Sequence, residues 1–176
     1  MTDLPPARTH LHPPFEGETA DILRLAYEDR LLRRKRVETV AGHRLLIDLP
    51  QTVGLAAGDA LGLEDGRLVV IEAAEEPLMA AEGEGLARLA WHIGNRHTPC
   101  QIEPGRLVLR HDRVLWAMLE GLGAHLTALT GPFTPEGGAY GAGQVMGHSH
   151  GHDHDHDHDH GPADAHDHPH DPSHAG

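Results

Sequence analysis

The stretch 76–130, EPLMAAEGEGLARLAWHIGNRHTPCQIEPGRLVLRHDRVLWAMLEGLGAHLTALT, decides the fold. Within it Leu86, Leu89, Ala90 and Ile93 recur at i, i+3, i+4 and i+7, the one-sided stripe of an amphipathic helix. Gly94 follows where a left-handed C′ glycine would end that helix. Gln101–Glu103 and Leu107–Leu109 are short extended runs around Pro104-Gly105, a hairpin signal. Asp112 is placed to cap a second helix, whose apolar face is Leu115, Met118, Leu119 and Leu122 and whose end is marked by Gly121 and Gly123. His125–Thr130 reads as a strand, and a further strand near Glu76–Ala80 completes the order β-α-β-β-α-β. That order predicts a ferredoxin-like arrangement, a four-stranded sheet with two helices on one face.

Upstream the period changes. Leu23, Leu25 and Tyr27 alternate at a strand's period of two, and Arg44–Leu49 and Gly66–Ala73 are short β-type runs separated by turn signals such as Gly58-Asp59. No sustained helical stripe lies between 19 and 73. Residues 1–18, rich in Pro and carrying His10 and His12, are expected to be loosely ordered. The basic cluster Arg30, Arg33, Arg34, Lys35 and Arg36 reads either as solvated surface or as a docking face for an acidic partner. The expected class is α+β: a small all-β domain over 1–75, a ferredoxin-like domain over 76–147 that leaves through a Pro- and Gly-rich exit from Pro132, and a tail over 148–176.

The tail differs in kind. Of 18 histidines in 176 residues, eleven fall between His148 and Gly176, with seven Asp and no Lys or Arg. The net charge of −13 therefore divides into −6 for residues 1–147 and −7 for the tail. Such a segment cannot fold by burying apolar surface. The acidic balance argues against non-specific nucleic-acid binding. No apolar run approaches the ~18 residues of a membrane helix, and MTDLPPARTHLHPP lacks the basic-then-apolar pattern of a signal peptide. The single cysteine, Cys100, excludes an internal disulfide and fits a reducing cytoplasm. With only two each of Phe, Tyr and Trp, the core falls to Leu, Val, Ile and Ala.

The tail chemistry is that of metal capture. His148, His150, His152, His154, His156, His158 and His160 occupy every second position, and His166, His168, His170 and His174 follow. Imidazole nitrogen suits Ni²⁺, Cu²⁺, Zn²⁺ and Co²⁺, and the interleaved Asp draws cations in. At two to four imidazoles per ion the tail would hold about three to five ions. Protons compete for the same nitrogens, so mild acid should release the metal.

In the body, His97 lies in Gly94-Asn95-Arg96-His97 and His111 directly precedes Asp112. Spacing alone leaves each open between an exposed or capping residue and a ligand. Cys100 reads as a small buried hydrophobe ahead of a ligand, His92 as an exposed helix residue, and His43 and His125 as structural. No G-x-S-x-G, phosphate-cradling Gly loop, HExxH or paired CxxC is present, so no catalytic set is expected. Many interchangeable ligands suit capture and release; turnover at a metal needs a rigid site with an open position.

GNRHTPCQIEPGRLVLRHDRVLWAMLEGLG (94–123), then GPFTPEGGAYG (131–141), then a His-rich tail, resembles the UreE family of urease accessory nickel metallochaperones. The resemblance implies a β-rich, peptide-binding-like N-terminal domain and a ferredoxin-like C-terminal domain through which two chains form a homodimer. It implies that His97 sits at the dimer face and binds one Ni²⁺ shared by two copies. Tail histidines would complete the coordination and act as a reservoir. The implied partners are the urease maturation GTPase, other urease accessory proteins and the apo-urease complex. Many members carry His-Asp-His where this chain has His111-Asp112-Arg113, which leaves a metal role for His111 open. The alternative is a cytoplasmic nickel or zinc store of the same fold without a delivery partner.

Overall fold

A computed structural model describes residues 3–137. Its strands are β1 (Ala7–Leu11), β2 (Thr19–Leu25), β3 (Leu31–Glu38), β4 (Arg44–Gly54), β5 (Ala60–Leu63), β6 (Leu68–Ala73), β7 (Glu75–Glu82), β8 (Gln101–Glu103), β9 (Arg106–Arg110) and β10 (His125–Pro132). Two helices, α1 (Leu86–Gly94) and α2 (Arg113–Gly121), complete it. The molecule is α+β, an all-β N-terminal domain followed by a βαββαβ C-terminal domain.

The first six strands form one sheet in the order β2-β6-β5-β1-β4-β3. In β4, Leu45, Ile47 and Leu49 are buried while Arg44 is exposed and Leu46 and Asp48 are half-buried, which is the period of two made physical. They join Leu23, Leu61, Val69 and Ile71 in an aliphatic core. The expectation of loose order over 1–18 is corrected at β1, which lies inside the sheet, parallel to β4 and antiparallel to β5, with Ala7 fully buried. The prolines around it punctuate the chain, but the free edges of β4 and β5 supply the hydrogen bonds that order the strand. Tyr27 also departs from its expected strand. It opens a 3-10 turn, Tyr27–Arg30, and its N–H donates to Glu76 Oε1 at 2.7 Å.

The basic cluster divides. Arg33, Arg34, Lys35 and Arg36 lie exposed on β3, whereas Arg30 is buried and donates to the Phe133 carbonyl. Tyr27 packs edge-on against Phe133 at 5.4 Å between ring centres.

The last four strands form an antiparallel sheet in the order β10-β7-β9-β8, the ferredoxin-like pattern. Met79, Ala81, Leu107 and Leu109 face the helices, meeting Leu89, Ile93 and Leu119. Leu78, Ala80 and Val108 face the other way and are covered by Phe133. Nine-residue helices are too short to persist alone, so this burial, roughly 1.5–3 kcal/mol per large side chain, holds them. Gly105, with φ 85°, turns the β8–β9 hairpin as the Pro104-Gly105 pair predicts. At the end of α2 the Gly123 N–H meets the Glu120 carbonyl and the Ala124 N–H meets the Leu119 carbonyl, closing a Schellman motif around left-handed Gly123. The exit after Pro132 is tied back to β8: the Thr134 N–H donates to Gln101 Oε1 and the Glu136 N–H to the Cys100 carbonyl.

Candidate metal centre

The expected glycine stop at Gly94 is replaced by a longer exit. Gly94 stays helical, and the Asn95, Arg96 and His97 N–H groups donate to the Trp91, Ile93 and Gly94 carbonyls. The left-handed position falls three residues later, on His97, with φ 52°. Among the described residues it is the one non-glycine with positive φ, a conformation that costs about 1 kcal/mol or more without glycine. Pro99 follows and biases Thr98 towards extended backbone, so the chain turns out of α1 directly into β8. His97 is thereby presented on the surface.

His111 reaches the same place from the other side. Its N–H donates to the Pro77 carbonyl at 3.0 Å, fixing the end of β9 to β7. Its ring lies 5.5 Å from that of Trp116. His97 and His111 both line a cleft of about 360 Å³, with Thr98, Pro99, Arg110 and Asp112 on its walls. The Asp112 carboxylate accepts from the Val114 and Leu115 N–H groups, each at 2.8 Å, and is committed to capping α2. The lining thus offers two imidazoles, while its carboxylate, Asp112, is taken up by the helix cap.

The other expected residues are distributed as follows. Cys100 packs against the helix-side core, and burial, aided by Glu136, pushes its thiol up to about 11. It stays protonated at neutral pH and behaves as a small hydrophobe. His92 is half-buried on α1, edge-on to Trp91, and less exposed than expected. His43 is structural, its Nδ1 2.7 Å from Asp21 Oδ2, and His125 opens β10 on the exposed side. His148, His150, His152, His154, His156, His158, His160, His166, His168, His170 and His174 lie outside the described residues.

A second cluster was not singled out from the sequence. His10 on β1 and His12 just beyond it project to one side of the strand by alternation. The β1–β5 register places Leu11 opposite Ala60, so Asp59 falls opposite His12. His10 Nε2 is 2.7 Å from Asp59 Oδ2, and His12 Nδ1 is 3.0 Å from Asp59 Oδ1. The Ala56 N–H also donates to Asp59 Oδ2, at 2.8 Å. Burial pushes the Asp59 carboxyl up, but the Ala56 N–H and the two histidines outweigh it and hold the group below the usual carboxylate range. One ligand atom from each of His10, His12 and Asp59 lies within 4.8 Å of the others. The signal in the sequence was His-x-His at strand spacing; the missing part was the turn that would meet it.

Among the described residues no helix is long and apolar enough to cross a membrane. Comparison with known proteins matches both halves of the chain. The model of the UreE urease accessory protein N-terminal domain covers residues 1–74, and that of its C-terminal domain covers residues 68–175. A urease accessory protein UreE of Cereibacter sphaeroides is 55% identical over 149 residues, spanning 84% of this chain and 81% of the relative. That of Ruegeria pomeroyi is 51% identical over 147 residues, 84% of this chain and 99% of the relative. That of Paracoccus denitrificans is 55% identical over 132 residues, 75% of this chain and 82% of the relative. With the two domain models matched in order onto the two sheets, the chain belongs to the UreE urease accessory protein family.

Proposed function

We propose that this protein is a cytoplasmic nickel metallochaperone that carries Ni²⁺ as cargo for urease maturation, and that it is a carrier and not a catalyst. The observation that carries the reading is the cleft lined by His97 and His111 at the exposed exit of α1. Two imidazoles suit Ni²⁺, and an incomplete shell releases its ion to a better acceptor. In this reading residues 76–147 form the metal-binding and dimerisation domain, 1–75 a separate β domain, and 148–176 a His-rich metal reservoir.

A homodimer completes the site by bringing a second His97 to the ion. Trp91, Ile102 and Val114 are large, apolar and exposed. Trp91 and Val114 lie on α1 and α2, and Ile102 pairs with helix-facing Leu107, so all three belong to the helix-bearing side. Apolar surface of this kind favours association. The loaded dimer would deliver nickel to the urease maturation GTPase and its accessory partners bound to apo-urease. Tail histidines would feed the interface site and also take Zn²⁺, Cu²⁺ or Co²⁺, in line with the donor chemistry.

Calorimetric titration of Ni²⁺ into a chain ending at Gly147, beside its His97→Ala variant, tests the reading. The expected result is about one tight Ni²⁺ per two chains, lost in the variant. Tight binding that survives His97→Ala overturns the interface site. No binding without the tail favours a nickel or zinc store with no delivery step.

A further inference from the structure

We infer that His10, His12 and Asp59 form a binding site for one borderline divalent cation of the Zn²⁺ and Ni²⁺ class, built within the N-terminal domain of a single chain. The Asp59 side chain is 3% exposed, and its ionic partners are His10 and His12, with no Lys or Arg paired to it among the described residues. A buried carboxylate without a fixed cation is balanced either by a protonated histidine or by a metal ion. Here two imidazole nitrogens converge on its two oxygens, His10 Nε2 on Oδ2 and His12 Nδ1 on Oδ1.

The dimensions suit an ion. Ligand atoms about 2.0–2.1 Å from a tetrahedral ion are about 3.4 Å apart. The two N–O separations, 2.7 and 3.0 Å, need to open by about 0.7 and 0.4 Å. His12, 53% exposed, provides the slack and the way in, while His10 is 12% exposed and Asp59 is held from behind by the Ala56 N–H. That backbone donor fixes the carboxylate as an outer-shell partner does in metal sites. Two nitrogens and one carboxylate leave a position for water, as in exchangeable sites.

Binding changes the histidines in a defined way. Without the ion, His10 Nε2 and His12 Nδ1 carry the protons that they donate to Asp59. With it, both nitrogens lose those protons and coordinate. Two hydrogen bonds are replaced by metal bonds, and the displaced protons go to the other ring nitrogens or to solvent. The ion would clamp the end of β1 to the turn before β5 and so stabilise the N-terminal domain.

The test is ¹⁵N NMR of the histidine ring nitrogens in the full chain during titration with Zn²⁺, carried well past the tail's ~three to five ions. His10 Nε2 and His12 Nδ1 should move from N–H to metal-bound shifts and saturate. The change should persist in His97→Ala and vanish in Asp59→Asn and in His12→Ala. His12→Ala removes an exposed ring, so that loss is read in a folded protein even if Asp59→Asn unfolds the domain. Ring nitrogens that stay protonated and bonded to Asp59 at saturating Zn²⁺ overturn the inference and leave a hydrogen-bonded latch. Zn²⁺ shifts at His10 that survive His12→Ala overturn it equally.

Discussion

His10 and His12 reach a carboxylate that is 3% exposed and oriented by a backbone N–H, whereas His97 and His111 border an open cleft whose carboxylate already caps a helix. The first pair belongs to a strand and a turn locked by sheet register. The second belongs to two loop exits, one of them on left-handed backbone. The first pair is held against a buried partner, and the second borders solvent.

The contrast breaks most directly at Asp59. Asp59→Ala leaves two ring nitrogens and the Ala56 N–H without their acceptor, and should lower stability by about 2–4 kcal/mol. His111→Ala should stay within about 0.5 kcal/mol. Urea midpoints measure both, and similar losses would erase the distinction between the two sites.

Acid sharpens the same difference through Asp21, which holds His43 in the N-terminal domain. Burial pushes its carboxyl up, but the Thr39 hydroxyl, His43 and the Ile22 and Ala41 N–H groups prevail and bring it down to about 2. The folded value lies below the unfolded one of about 3.9, so the stabilisation is complete above roughly pH 4 and is lost as pH falls towards 2. The loss is about 2 kcal/mol. Denaturant midpoints across this window should fall in the wild type, and Asp21→Asn should flatten the fall; equal slopes would remove Asp21 as the cause.

The smallest effect has the opposite sign. His97→Gly relieves the φ of 52° and should raise stability by about 0.5 kcal/mol while abolishing tight Ni²⁺ binding. Thermal unfolding and calorimetry on one variant measure the two together. A destabilised variant would show that the His97 ring supports the fold.

Much of the C-terminal domain was legible because its signals are local. The Leu86–Ile93 stripe, the Asp112 cap, the Pro104-Gly105 turn and the Gly123 end each lie within a few residues of the structure that they specify. The Gly94 stop failed because three further backbone hydrogen bonds carried the turn on to His97, and a glycine only permits a left-handed residue. Residues 1–18 were misjudged because β1 has few apolar residues of its own. Its order comes from β4 and β5, met more than thirty residues later in the chain.

By itself the sequence determined the α+β class, the helix and strand order of the second domain and the histidine density of 148–176. These rest on periodicity, capping and composition, which short stretches of chain express without help. Only the tertiary structure decided that β1 lies between β4 and β5 and that Asp59 meets histidines 47 and 49 residues away. It also buried Arg30 against the Phe133 carbonyl and put His97 and His111 on one cleft. Contacts between distant segments carry no local signature, because sheet register and burial select them from many sterically equivalent pairings.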